Sequence, residues 1–435
     1  MEIQFLGAID DVTGSMSLLS NSHGKILIDC GMFKGEADAV KKNICDFPFH
    51  PSEIKAIILT HAHLDHSGLI PKLIKEGFRG DIYCTRPTMK LAKLIMQDSA
   101  KILHHDDNPL SSLYSLEDAV KATSFFKIID YLEPFEVIGL KIHLIPAGHI
   151  LGAASVVIKE NKTIVFSGDL GRFSDPVIKV PEFCPPTDLL VMESTYGGKI
   201  RKGVIEKDLE AFLNLVRDEA KVGIIASFAV ARGQMLLTTI AKYFQGHPEK
   251  KVRVVIDSPM MYEANKIYKE FANSTVCPLL IKEALTEVEV IDEQREWLSI
   301  KEKDGPLIII SSSGMVSGGR IWRYLENWQQ DSNALLFLPG YQGPGTPGRS
   351  LAEGKRIICN EEGISVHWHG GVMTSDAFSS HADQSELILW LKNISKNTLI
   401  YLNHGESESK EMFKTKLNEC GYTNVIVAGN AIVSV

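Results

Sequence analysis

Three histidines and an aspartate fall within six positions of the stretch AIILTHAHLDHSGLIPKL: His61, His63, Asp65 and His66. Neutral imidazole nitrogen and ionised carboxylate oxygen are ordinary ligands of Zn²⁺. On an extended or tightly turned segment, His61 and His63 point the same way, while Asp65 and His66 turn toward a neighbouring point. That geometry could serve two metals side by side. Burying four such groups without partners would be costly, so metal binding is the chemistry they predict. Paired cations about 3.5–4 Å apart stabilise both the attacking and the leaving oxygen of a hydrolysis.

The elements that must position these groups follow one grammar. A strand-like run, Ala56–Thr60, precedes them and a helix-like run starts at Ser67. Other short β-rich runs also end in a polar residue: KILIDCG at Asp29, KIHLIPAGH at His149, TIVFSGD at Asp169, LLVMES at Glu193 and TLIYLNHGE at His404. Strand ends open onto loops that can project side chains into one cleft. Six such endings predict one site assembled from distant segments. Between residues 204 and 355 the rhythm changes. GIIAS, RVVID, LIIISSS and ALLFLPG are near-continuous apolar runs, as in strands buried on both faces. Helical patterns alternate with them, which predicts a doubly wound parallel sheet. Its strand ends carry SFAVARGQ, DSPM, SSSGMVSGG and GYQGPGTPGR, loops suited to phosphate or other anions. The first grammar resumes after Gly354, so the expected organisation is 1–203, an inserted 204–355, and a return segment 356–435.

Composition narrows the function classes. A chain of 435 residues with 44% apolar and 23% charged residues reads as globular, with more than one core. It offers no window apolar enough for a membrane span and no secretory signal at MEIQFLGAIDD. Seven cysteines without a CxxC pair suit reduced thiols, hence a cytoplasmic setting. The net charge of −8 gives no electrostatic pointer to a nucleic-acid partner.

HAHLDHSG resembles the signature of the metallo-β-lactamase fold, an αβ/βα sandwich with a dinuclear metal site at one edge. The likeness continues through PAGHILGA and FSGDLGR, with DCG placing Asp29 as a buried carboxylate behind the metal ligands. Together with MESTYGG, PGYQGPGTPGR, FSSHAD and NHGE, the inserted unit resembles the β-CASP nucleases, which include the endonuclease of pre-messenger-RNA 3′-end processing and ribonuclease J. The resemblance implies one metal held by His61, His63 and His149, a second held by Asp65, His66 and His404, and Asp169 bridging them. Two Zn²⁺ per chain are expected, with Mn²⁺ as an alternative. His381 would act as general acid, oriented by Glu193, and Asp65 counts among the catalytic residues. The implied reaction is hydrolysis of RNA to 5′-phosphate and 3′-hydroxyl ends, by an endonuclease in preference to a 5′-exonuclease. Histidine at position 404 favours RNA over DNA within the family.

The inserted sheet would clamp a single strand of RNA. Candidate phosphate contacts are Arg232, Ser312, Ser313 and Arg349, with Gly314 and Gly345 letting backbone N–H groups approach. No membrane partner is expected, and a homodimer or an RNA-processing assembly is left open. No dimerisation domain is expected after His404, unlike ribonuclease J. Two rival functions, a small-molecule metallohydrolase and a non-catalytic RNA-processing scaffold, fit less well. The insert and the Glu193–His381 pair speak against the first, and the full ligand set against the second. His367 and His369 imitate a metal pair on one strand face, but read as surface residues. His104 and His105 read as a solvated helix end, and the aromatics of IWRYLENW as core.

Overall fold

The computed structural model describes residues 1–35, 38–104, 108–219, 222–291, 300, 306–360 and 363–434. His105 lies outside the described residues. The chain divides into two compact units, one of residues 1–174, 178–200 and 381–435, the other of 175–177 and 201–380.

In the first unit two seven-stranded sheets share one core. One runs in the order Val433–Ser434, Glu2–Phe5, Ser17–Asn21, Gly24–Ile28, Ile54–Ile58, Asp81–Cys84, Phe126–Ile128. The other runs Val425–Val427, Leu399–Asn403, Leu189–Glu193, Thr163–Phe166, Ala154–Lys159, Leu140–Pro146, Phe135–Val137. Side chains alternate between faces along a strand. Ile26, Ile28, Ala56 and Ile58 of the first sheet therefore meet Leu144, Val156, Phe166 and Val191 of the second in a single buried cluster. Leu27 and Ile57 point to the opposite face and are buried too. This is the sandwich expected from the sequence.

Register brings the polar strand ends together. Ile28 lies opposite Ile58 in a parallel pair, so Asp29 and the run to His61 emerge at the same end. In the second sheet Phe166 pairs with Val191, and Glu193 with Asn403, again in parallel. The segments leading to Asp169 and His404 thus leave beside Glu193. Close backbone approach completes the arrangement: a Cβ on Gly31 would sit 1.6 Å from the carbonyl oxygen of Asp65.

The second unit holds a six-stranded sheet in the order Glu289–Val290, Arg253–Asp257, Leu307–Ser311, Val222–Ala226, Ala334–Pro339, Gly371–Ser375. Every pairing is parallel, as the continuous apolar runs predict. Leu307–Ser311 and Val222–Ala226 are buried along their whole length. The unit extends through Ser380, because Gly371–Ser375 joins its edge and the hairpin Ile357–Cys359 with Ser365–His367 belongs to it. The helix Ile321–Trp328 buries Ile321, Trp322, Tyr324 and Leu325, and the Tyr324 hydroxyl donates to Asp257 Oδ2 at 2.8 Å. Its aromatics serve packing, as expected. Among the described residues no helix is long and apolar enough to cross a membrane.

Candidate metal centre

His61 and His63 stand in the loop after strand Ile54–Ile58, and Asp65 and His66 in the short helix Leu64–Ser67. His149 and Asp169 follow the strands Leu140–Pro146 and Thr163–Phe166. His404 follows Leu399–Asn403 with a positive φ of 49°, its N–H bound to the Ala8 carbonyl and its carbonyl to the Ser194 N–H. A non-glycine residue in that region costs of order 1–3 kcal/mol and persists where its surroundings enforce it. Asp29, with φ 61°, is a second case.

These side chains gather into two groups that share one carboxylate. His61 Nε2 and His149 Nε2 each lie 3.1 Å from His63 Nδ1, and 3.4 and 3.6 Å from Asp169 Oδ2. On the other side His66 Nε2 lies 3.1 Å from His404 Nε2 and 3.8 Å from Asp65 Oδ2. His66 Nε2 and His404 Nδ1 lie 3.3 and 3.4 Å from Asp169 Oδ1. Each oxygen of Asp169 thus faces its own set of donors. Ligands at about 2.0–2.1 Å from a tetrahedral cation stand roughly 3.3 Å apart, and the observed spacings bracket that value.

The protonation chemistry also fits a cation. The oxygens of the buried Asp169 are faced by histidine nitrogens at 3.3–3.9 Å, longer than ordinary hydrogen bonds, and His149 Nδ1 has no hydrogen-bond partner among the described residues. A buried carboxylate held only by such long contacts is stabilised by a cation between the donors. Burial holds His61 and His149 well below the ordinary histidine pKa and His63 down at about 4, so these rings are neutral near pH 7 with lone pairs to offer. Burial would raise the Asp65 carboxyl, but His404 and His66 hold it well below the usual carboxylate range. Burial would lower His66, but Asp169 and Asp29 in turn raise it well above the ordinary histidine value.

A second layer fixes the rings. Asp29 Oδ2 lies 2.7 Å from His66 Nδ1, and its Oδ1 accepts the Thr60 N–H at 2.8 Å. A hydrogen bond from Nδ1–H leaves the Nε2 lone pair for the cluster. The Thr60 hydroxyl donates to Asp29 and lies 3.1 Å from His61 Nδ1, and the Thr195 hydroxyl lies 3.2 Å from His404 Nδ1. Sequence reasoning missed both threonines. Thr60 adjoins His61 and Thr195 lies two positions after Glu193, yet a hydroxyl carries no ligand signature. Replacing Asp29 by Ala is expected to weaken metal affinity by about 10–100-fold, read by chelator competition, with the fold retained by circular dichroism.

Beside the cluster stands a histidine–carboxylate pair. His381 is held by an isolated bridge to Gly171, and its Nδ1 lies 3.2 Å from Glu193 Oε1. Its Nε2 points inward, 3.9 Å from Asp169 Oδ2. Glu193 is fixed in turn by the N–H groups of Leu170 and Thr195, at 2.7 and 3.1 Å. The His381 side chain keeps 20% exposure against 1% for Glu193. Burial disfavours charge on His381, but the adjacent Glu193 carboxylate outweighs it and raises the pKa above the ordinary histidine value.

The anion-binding candidates occupy the carboxyl ends of the second unit's sheet. Arg232 is buried, with Nε donating to the Phe378 carbonyl at 3.2 Å. The Ser312 and Ser258 hydroxyls share a 2.8 Å hydrogen bond, and the Ser313 N–H binds the Gly318 carbonyl. The Gly314 carbonyl accepts from Gln342 Nε2, and Gly345 has open space around it. Arg349 is half-exposed and paired with Glu353 at 2.7 Å. His367 and His369 are exposed and fall in none of the metal-competent groups among the described residues.

Family comparison agrees with this geometry. Residues 9–222 match the model of the metallo-beta-lactamase superfamily, 233–351 that of the Beta-Casp domain, and 366–428 that of the Zn-dependent metallo-hydrolase RNA specificity domain. The chain is 34% identical to a protein of Thermus thermophilus named a ribonuclease, over 94% of each chain. It is 29% identical to an RNase J-like protein of Methanocaldococcus jannaschii, over 93% of this chain and 92% of the other. A transcription termination factor of Methanothermobacter thermautotrophicus is 30% identical over 92% of this chain and 66% of its own length. The chain belongs to the metallo-β-lactamase superfamily of metal-dependent hydrolases, in its β-CASP family.

Proposed function

We propose that this protein is a two-zinc ribonuclease that cuts single-stranded RNA internally, leaving 5′-phosphate and 3′-hydroxyl ends. The observation that carries the reading is the division of one buried carboxylate, Asp169, between two sets of histidine donors, with His381 beside them. RNA as substrate is supported by the match to an RNA specificity domain and by relatives named ribonuclease. When bound, the cations supply Lewis acidity toward the scissile phosphate and a nucleophile at neutral pH.

The chain's own residues do the rest. His61, His63 and His149 would hold one cation, Asp65, His66 and His404 the other, and Asp169 both. His381 donates a proton from Nε2 to the departing 3′ oxygen, while Glu193 holds the ring at Nδ1 and favours its charged form. Zinc suits the histidine-rich donors and is favoured by affinity over Mn²⁺. Seven free thiols suit a reducing compartment, the cytoplasm.

The test uses metal-replete protein and one RNA labelled at either end, with matched single-stranded DNA alongside. Internal cuts with 5′-phosphates, on RNA and not on DNA, are expected. Mononucleotides released only from the 5′ end would make the enzyme an exonuclease. No cleavage by protein holding both metals would overturn the reading.

A further inference from the structure

Phe228, in the loop after strand Val222–Ala226, is 40% exposed, more than any other phenylalanine or tryptophan among the described residues. A single exposed apolar side chain is ordinary. What sets this one apart is how firmly it is held. The guanidinium carbon of Arg232 lies 4.7 Å from the ring centroid, and Arg232 is itself buried and tied to the Phe378 carbonyl. A Cβ on Gly314 would sit 3.1 Å from ring atoms of Phe228, so the glycine lets the facing loop pack closely against the ring. The Phe228 carbonyl accepts from the Ser227 hydroxyl at 2.9 Å and from the Gly233 N–H at 3.2 Å. The Gly314 carbonyl is held by Gln342.

Val222–Ala226 and Leu307–Ser311 are adjacent parallel strands, and Phe228 and Gly314 both lie just past their carboxyl ends. In open α/β sheets ligands bind outside that edge. A rigid aromatic ring backed by a guanidinium suits a second flat π-system, and a buried cation close by suits a phosphate-linked one. Resting on the ribonuclease reading above, we infer that Phe228 is a stacking platform for one nucleobase of single-stranded RNA. A protein partner fits less well. The strand-end loops beside the ring carry Ser227, Ser312, Ser313 and Gly314, whereas the anchor of a protein interface sits among other large contact side chains. Stacking is indifferent to base identity, since every base has a π-face, so the platform would select single strands without selecting sequence.

The experiment measures equilibrium binding of a fluorescent, phosphorothioate-linked RNA twelvemer to metal-replete protein. One abasic site is moved through the strand, and wild type is compared with Phe228→Leu and Phe228→Tyr. Wild type should lose about five- to 150-fold in affinity when the abasic site reaches one particular position. Phe228→Leu should bind intact RNA with that same loss and show no further drop at that position. Phe228→Tyr should behave as wild type. Unchanged affinity in Phe228→Leu, or an equal loss at every abasic position, would overturn the platform. So would a Phe228→Leu variant that binds RNA normally but changes its oligomeric state in sedimentation, which would make the ring a protein contact. Binding is read apart from turnover, so tight, Phe228-dependent binding without cleavage would sink the nuclease reading and keep the platform. No RNA binding by wild type would sink both.

Discussion

Asp169→Asn should abolish RNA cleavage and strip both cations from the protein. The substitution keeps the shape of the side chain and removes the charge that each donor set shares through its own oxygen. An amide offers one carbonyl oxygen and one N–H₂ group, so one set would face a donor where it needs an acceptor. Metal chemistry of this kind supplies several kcal/mol of transition-state stabilisation, and each 1.36 kcal/mol is a factor of ten in rate. A loss of about a thousandfold or more is therefore expected. Metal content by mass spectrometry should fall from two ions per chain toward none. The double variant His367→Ala, His369→Ala should keep both metals and full turnover, because those rings lie outside every metal-competent group among the described residues. Retained cleavage in Asp169→Asn would mean that the shared carboxylate is not what holds the metals.

His381→Ala should cut turnover by about 10²–10⁴-fold with metal content unchanged. The ring is more exposed than those of His61, His66, His149 and His404, and its Nε2 faces Asp169 while Nδ1 is occupied by Glu193. A general acid must be protonated to act. The rate should thus fall as pH rises through the His381 pKa, which Glu193 raises. Removing that carboxylate's charge in Glu193→Gln should move the alkaline limb of the pH–rate profile to lower pH, and His381→Ala should flatten it. Full turnover in His381→Ala would remove the proton-donor role, and an unmoved limb in Glu193→Gln would remove the coupling between the pair.

Much of the first unit was legible because its candidate ligands follow short β-rich runs that end in a polar residue, and parallel register then delivers Asp29, Asp169, Glu193 and His404 to one end. The inserted sheet was legible for a related reason: strands buried on both faces read as unbroken apolar runs. The end of the second unit was harder to read. The hairpin over Ile357–Cys359 and Ser365–His367 alternates exposed and buried residues, and the edge strand Gly371–Ser375 is half-covered, so neither shows the unbroken apolar run that marked the inserted sheet. His381 was identified only through the FSSHAD resemblance, since its meeting with Glu193 rests on the bridge to Gly171 and on no periodic pattern. Thr60 and Thr195 escaped notice because an isolated hydroxyl acquires meaning only when an imidazole nitrogen is placed beside it. Arg232 was picked for its charge and its place in a strand-end loop, SFAVARGQ. Its burial and its stacking on Phe228 are tertiary facts, and they point to a role through the ring as well as toward phosphate.

The most direct test of the central claim is a titration of chelator-stripped protein with zinc, following RNA cleavage and bound metal together. Activity should remain near zero until the second equivalent binds and reach its plateau at two ions per chain, with Asp65→Ala silent throughout. Full cleavage by stripped protein, a plateau at one equivalent, or undiminished activity in Asp65→Ala would contradict a paired-cation site built on Asp169.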